Sequence, residues 1–429
     1  MVKSTLQNTE ESTSVYFPTI TAITKAYQRL KQVVKRTPLE LNTNLSEQYN
    51  ANIYLKREDL QVVRSYKIRG AYNKISSLTT DEMQQGVVCA SAGNHAQGFA
   101  YSCAKLKIKG VVFMPTPTPR QKINKVKFFG KEFVEVVLVG DTFDDAYAES
   151  LKFCQERNMI YVPPFDNEQV IEGQGTVGME ILEDAETEID FLFMPIGGGG
   201  LSAGVGSYFE QVSPQTQLIG AEPAGAPAMY ESFKQNQIVT LEQIDKFVDG
   251  AAVRRVGNLT FEICRRVLKD IVLVPEGKVC STILKLYNEE AIVVEPAGAL
   301  SIAALDFYKD QIKGKNVVCI VSGSNNDITR MEEIKERSLL YEGLKHYFMI
   351  TFPQRAGALK NFLNQVLGPT DDITLFEYTK KTNREEGPAL VGIEVQQRQD
   401  YERLVQRMKE AGIRFKIINE DIELFSFLI

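Results

Sequence analysis

The sequence predicts an α/β protein built from doubly wound, mostly parallel lobes and closed by a small α+β module. Three observations carry that prediction. Short uncharged apolar runs alternate with amphipathic stretches of helical period, the order that parallel sheets require. Several of the apolar runs end in glycine-marked loops that open a helix. After Met331 the rhythm changes to a run of charged residues and then to a pattern of its own.

An amphipathic helix is expected over 20–34, with Ile23, Tyr27, Leu30 and Val34 on one face. Buried strands are expected over 52–56, 87–90, 110–114, 133–139, 191–196, 218–222, 271–274 and 317–321. Strands buried on both faces of a parallel sheet read as unbroken apolar runs, and these do. Helices are expected between them over 94–105, 121–129, 142–157 and 175–182. Residues 191–209 carry no charge and are long enough to suggest a membrane span. Pro195 and Gly197–Gly200 interrupt them, so they read as a strand, a loop and a helix start.

The segment 331–337 reads as a charged linking helix. Beyond it come a strand (346–352), a helix (357–367), two strands (373–380 and 389–396) around the turn-rich 382–387, a helix (400–410) and a strand (415–418). That βαββαβ order is ferredoxin-like.

Composition narrows the function. A chain of 429 residues exceeds the size of one hydrophobic core, so two or three domains are expected. Its net charge of -6, with both signs interspersed, offers no basic face for nucleic acid. The first fourteen residues are polar, carry Glu10 and Glu11 and lack the basic-then-apolar pattern of a secretory leader, which predicts a cytoplasmic protein. The six cysteines are scattered, as Cys89 and Cys319 are within apolar runs, and read as reduced core residues. With His95 and His346 the only histidines, a zinc site or a histidine-based triad has almost nothing to work with. A lysine or a cofactor is left to carry the chemistry.

Ser65-Tyr66-Lys67-Ile68-Arg69-Gly70-Ala71 sets a lysine between a hydroxyl and an arginine. A neighbouring cation or an apolar pocket favours the neutral amine, the form that attacks an aldehyde. Ser91-Ala92-Gly93-Asn94-His95-Ala96-Gln97-Gly98 follows a strand and opens a helix. Its N–H groups suit a carboxylate and the Asn94 amide suits a phenolic oxygen. Gly197, Gly198, Gly199 and Gly200, followed by Leu201 and Ser202, cost conformational entropy that a close backbone approach to phosphate would explain. Ser322 opens Ser322-Gly323-Ser324-Asn325-Asn326 and can offer a neutral hydrogen bond to a ring nitrogen. A rival reading takes Gly198, Gly200 and Ala203 as G-x-G-x-x-A with Glu222 as the ribose acid of a nicotinamide enzyme. It leaves the Lys67 and Asn94 loops unexplained.

Aldehyde, phenolic oxygen, phosphate and ring nitrogen are the four handles of pyridoxal 5'-phosphate. On these motifs, in this order, the sequence resembles the biosynthetic threonine dehydratases (threonine ammonia-lyases) of the tryptophan-synthase-β-like class, in their short form. The resemblance implies fold type II: a catalytic domain at 1–335, with a small lobe inserted at about 60–160, and an ACT-like regulatory domain at 336–429. It implies that Lys67 forms the Schiff base with the cofactor, Asn94 binds its hydroxyl, Gly197, Gly198, Gly199, Gly200 and Leu201 bind its phosphate, and Ser322 faces its ring nitrogen. It further implies that Ser91, Ala92, Gly93 and Asn94 bind the substrate carboxylate.

The activity so implied is removal of water from L-threonine, giving 2-oxobutanoate and ammonia, as the first committed step of isoleucine biosynthesis. The freed Lys67 amine removes the Cα proton, the cofactor phosphate is the expected proton donor to the leaving hydroxyl, and a neutral Ser322 favours elimination over racemisation. L-Serine is an alternative substrate, as for the serine dehydratases and racemases of the same fold. Isoleucine is the expected inhibitor, valine an opposing effector, and the assembly a homotetramer. No metal is expected: some relatives place acidic residues after the strand ending at Glu222, and here that loop supplies one carboxylate.

Overall fold

Residues 16–378 and 385–419 are described in a computed structural model of the chain. The leader reading of the first fourteen residues, the end of the 373–380 strand and the first half of the 382–387 turn fall outside them. Within them the strands are β1 (Leu39–Leu41), β2 (Asn52–Arg57), β3 (Val87–Ala90), β4 (Gly110–Met114), β5 (Val134–Leu138), β6 (Ile160–Tyr161) and β7 (Phe191–Pro195). There follow β8 (Gln217–Pro223), β9 (Asp270–Val274), β10 (Asn316–Val321), β11 (Lys345–Pro353), β12 (Asp372–Tyr378), β13 (Glu386–Glu394) and β14 (Arg414–Ile417).

The chain divides into two compact units. One comprises the described residues up to Val274 together with Val294–Asn325, and the other Pro275–Val293 with the described residues from Asn326 onward. The first unit holds two sheets. A six-stranded sheet runs β1-β2-β10-β7-β8-β9, parallel except for the β1/β2 pair, and a four-stranded parallel sheet runs β5-β4-β3-β6. Residues of β7 are buried along its whole length, as are those of β3 and β4. Side chains above and below β7 explain why its sequence shows no alternation: Leu192 and Met194 pack with Leu201, Val205 and Phe209 of the next helix. No described helix is long and apolar enough to cross a membrane, so the uncharged 191–209 is the strand, loop and helix start expected.

Several bounds moved. The first helix stops at Leu30, its last turn giving way to turns, and the helix expected over 175–182 spans Glu168–Asp184 because Asn167 caps it, accepting from the N–H groups of Gln169 and Val170. Short β1 and β6 and several helices, among them Glu276–Glu290 and Pro296–Ala303, carried no periodic signal strong enough to be expected.

The second unit contains an antiparallel sheet in the order β12-β13-β11-β14. Helices Ala358–Val366 and Arg398–Glu410 bury Phe362, Val366, Leu404 and Met408 with Phe348, Ile350, Val391 and Ile393. This is the expected βαββαβ module. The charged segment after Met331 is a helix that extends to Glu342 and packs with Glu276–Glu290.

Candidate active site

Lys67 opens the Lys67–Ser76 helix, and its Nζ donates to the Pro164 carbonyl at 2.8 Å. The amine is enclosed between aromatic rings, 5.4 Å from the Tyr66 centroid and 6.0 Å from that of Phe165. Burial lowers its pKa from the usual lysine value to about 8, and the charge of Glu295 opposes the shift. Of the two causes expected, a neighbouring cation and an apolar pocket, the second applies. Arg69 is fully buried and pairs with Glu58 and Glu180 at 2.8 and 2.7 Å, while Lys56 meets Glu180 at 2.8 Å. Its charge is matched within that network, so the apolar pocket rather than Arg69 favours the neutral amine.

The Lys67 segment and the three glycine-marked loops lie together within the first unit. Gly98 lets the Asn94–Leu106 helix approach the start of the Lys67 helix, since a Cβ there would stand 3.1 Å from the Lys67 backbone carbon. Tyr66 N donates to the Ser322 carbonyl at 3.2 Å, and Ser65 bridges to Gly323. Phe165 joins Lys67 to the glycine loop, its ring lying where a Cβ on Gly198 would fall.

Glycine is required in that loop. Gly199 has φ +90°, and a Cβ would meet Met229 Cε at 2.7 Å. The carbonyls of Gly198 and Gly199 are engaged by Thr260 Oγ1 at 2.6 Å and by Cys264 Sγ at 3.5 Å. Gly200–Val212 begins there without a side-chain cap, so its first N–H groups and positive dipole end remain for an anion. Ser202 Oγ, in the first turn, is buried and has no hydrogen-bond partner. Leu201 has only its backbone to offer there, because its side chain lies in the core.

Gly93 precedes Asn94 without a side-chain cap, and a Cβ placed on Gly93 would meet no atom within 4 Å. Ser91 Oγ accepts from Gly93 N at 3.2 Å, which shapes the turn. The Ser91–Asn94 turn therefore combines open space with helix N–H groups, the combination that suits a carboxylate. Ser322 is buried and its Oγ donates to the Ala297 carbonyl at 3.2 Å.

Asn94 is held more firmly than sequence suggested. Its Nδ2 donates to Glu295 Oε1 at 2.6 Å and its Oδ1 accepts from Asn325 Nδ2 at 2.7 Å. Burial pushes the Glu295 carboxyl up to about 7, Asp249 adding to the shift and Asn94 opposing it. Glu295, Phe165 and Asn325 were not singled out from sequence. The signal for Glu295 was legible: it is the one charge in the apolar run 291–305.

His95, next to Asn94, is held neutral by burial, its pKa lowered to about 3, and Nε2 lies 2.9 Å from the Val162 carbonyl. Glu222 is not placed to read a ribose. Its two carboxylate oxygens accept from Met229 N and Tyr230 N at 2.8 and 2.9 Å, which removes the support for the nicotinamide reading. Among the described residues no three His, Cys, Asp or Glu side chains gather as metal ligands.

These residues fit pyridoxal phosphate: a buried lysine of lowered pKa, a glycine cradle with an orphaned Ser202 hydroxyl, an oriented amide and a neutral serine. Fold and site together define a cofactor-dependent α/β enzyme. The chain belongs to the pyridoxal-phosphate dependent enzyme family, which matches residues 30–323, and pyridoxal phosphate is its cofactor. Residues 336–428 match the C-terminal regulatory domain of threonine dehydratase. The chain is 62% identical over 404 residues to the biosynthetic L-threonine dehydratase IlvA of Halalkalibacterium halodurans, covering 94% of this chain and 97% of that one. It is 59% identical over 407 residues to the Bacillus subtilis protein of the same name, covering 95% and 96%. Among solved structures, the processed form of threonine deaminase isoform 2 from Solanum lycopersicum matches 75% of this chain and 95% of its own, at 39% identity and a TM-score of 0.71. Maize serine racemase matches 76% and 99%, at 29% identity and a TM-score of 0.70.

Proposed function

We propose that this chain deaminates L-threonine to 2-oxobutanoate and ammonia, the committed step toward isoleucine, with residues 1–335 as the catalytic domain and 336–429 as the regulatory domain. The observation that carries the reading is the enclosure of Lys67, whose amine is held near neutrality beside the Asn94, Ser322 and glycine loops. When bound, the cofactor supplies an aldehyde for the substrate amine and a π-system that takes up charge at Cα.

The protein does the rest. Lys67 anchors the aldehyde and, once displaced, is the base that takes the Cα proton, a role that its lowered pKa supports. The N–H groups of Gly197, Gly198, Gly199, Gly200 and Leu201 hold the phosphate with Ser202 Oγ. Asn94 donates to the phenolic oxygen. Ser91, Ala92, Gly93 and Asn94 hold the substrate carboxylate, which fixes the Cα–H bond toward Lys67. Ser322 gives the ring nitrogen a neutral partner and so favours elimination over racemisation. Phe165 and Tyr66 keep water from the amine.

Isoleucine is the proposed inhibitor acting through the C-terminal module, valine the proposed opposing effector, the cytoplasm the site of action and a homotetramer the assembly. Purified protein should show a visible absorbance band and release a 2-oxo acid from threonine faster than from serine, with isoleucine slowing release. A colourless protein, or one that yields no 2-oxo acid, overturns the reading.

A further inference from the structure

Asn94 cannot orient itself. An amide side chain presents one acceptor oxygen and two N–H donors, and either end can face a partner unless the neighbours distinguish them. Here they do. Glu295 Oε1 accepts from Nδ2 at 2.6 Å, while Asn325 Nδ2 donates to Oδ1 at 2.7 Å. One N–H of Asn94 is thereby left for a ligand.

The acid is itself fixed. Its Oε2 accepts from Asn325 N at 3.1 Å, and its backbone N donates to the Gly323 carbonyl at 3.2 Å. A Cβ on Gly323 would lie 2.4 Å from Oε1 and one on Gly250 3.4 Å from it, so two glycines leave room for the carboxylate. The side chain of Asn325 is held in turn by the Val63 carbonyl at 2.9 Å. Glu295 also starts the Pro296–Ala303 helix, whose N1 proline stiffens the turn.

We infer that Glu295 is a positioning residue for the cofactor: its carboxylate, with Asn325, fixes the orientation in which Asn94 offers its free N–H to the phenolic oxygen. The inference rests on the assignment of Asn94 to that oxygen. A carboxylate accepts at both oxygens, as Asn94 and Asn325 N require. A glutamine at 295 can accept at one only and turns an amide toward the other donor, so it loosens the clamp with almost no change in volume.

The test compares purified holoenzymes carrying Glu295→Gln and Asn325→Ala with the unaltered protein. Cofactor dissociation is followed by fluorescence titration, and the visible band, the melting temperature, kcat and KM for threonine are measured. Glu295→Gln is expected to melt within a few degrees of the unaltered protein, shift the band, weaken cofactor binding about tenfold, the equivalent of one lost hydrogen bond to a charged group, and lower kcat more than it raises KM. Asn325→Ala moves the same readings in the same direction by less. An unshifted band with unchanged cofactor affinity in a folded Glu295→Gln protein overturns the inference. If Glu295→Gln does not fold, the same result in Asn325→Ala overturns it. An unaltered protein with no band sinks the cofactor reading itself and is thus distinguished from failure of the clamp.

Discussion

Asn94 and Glu295, 201 positions apart in sequence, share a 2.6 Å hydrogen bond near Lys67, the proposed anchor of the cofactor. One residue lies at the start of a helix packed with the four-stranded sheet and the other at the start of a helix packed on the six-stranded sheet. The site therefore needs both sheets of the first unit in place.

Replacing Lys67 by alanine removes both the proposed anchor and the proposed base. Visible absorbance should disappear, and turnover of threonine should fall by at least about 100- to 10,000-fold, the range lost with a positioned acid–base group. Retention of the band or of near-normal turnover in Lys67→Ala would contradict the assignment.

Cofactor-free protein should take up pyridoxal phosphate faster as pH rises through about 8, where the buried amine of Lys67 becomes neutral. Stopped-flow absorbance over that range reads the rate directly. A rate that instead falls, or that stays flat to the pH of a free lysine, would show that the amine is not held near neutrality.

Gly199 sits at φ +90°, and Met229 and Thr260 occupy the space a Cβ would need. Gly199→Ala should cost about 1–3 kcal/mol of stability through strain alone and should weaken cofactor binding further. Thermal melts with and without added cofactor separate the two effects: the added cofactor should raise the melting temperature less in the variant.

Glu222 is a buried carboxyl whose pKa is pushed up to about 8 by burial, against an ordinary 4.5, despite two backbone donors. A raised folded-state pKa means that its contribution is full below about 4.5 and is lost as pH rises through about 8. Glu222→Gln should therefore flatten the decline of melting temperature with pH across that window. An equally steep decline in the variant would assign the slope to other groups.

Where the chain is cut decides what a truncation reports. Tyr341 lies against Gly277 and the Met331–Glu342 helix packs on Glu276–Glu290, so removal from Leu339 onward strips part of that helix pair. A stop after Gly343 keeps the pair whole. The longer form should retain turnover and lose its isoleucine response, while the cut at Leu339 should be less stable by about 1 kcal/mol or more, from lost apolar packing. Full isoleucine sensitivity in the form ending at Gly343 would place the effector site elsewhere.

Most of the parallel core was legible because parallel strands such as β3, β4 and β7 are unbroken apolar runs, and the glycine loops stand out at their ends. Short edge strands such as Ile160–Tyr161 were not, since two residues carry no period. Lys67, Asn94, the glycine loop and Ser322 each lie in a motif with local character. Glu295 and Asn325 do not act locally: they matter through hydrogen bonds to a residue more than two hundred positions away. Arg69 shows the converse error. Adjacency to Lys67 in sequence suggested influence, yet its guanidinium is matched by Glu58 and Glu180.

The division of the chain into two units sets how far apart they lie along the backbone. The backbone passes between the units at Val274/Pro275, at Val293/Val294 and at Asn325/Asn326. The second passage is followed by Glu295 and the third is preceded directly by Asn325. Measured along covalent bonds, the C-terminal unit is thus one or two residues from the pair that grips Asn94, and each path ends in a single hydrogen bond of 2.6 or 2.7 Å.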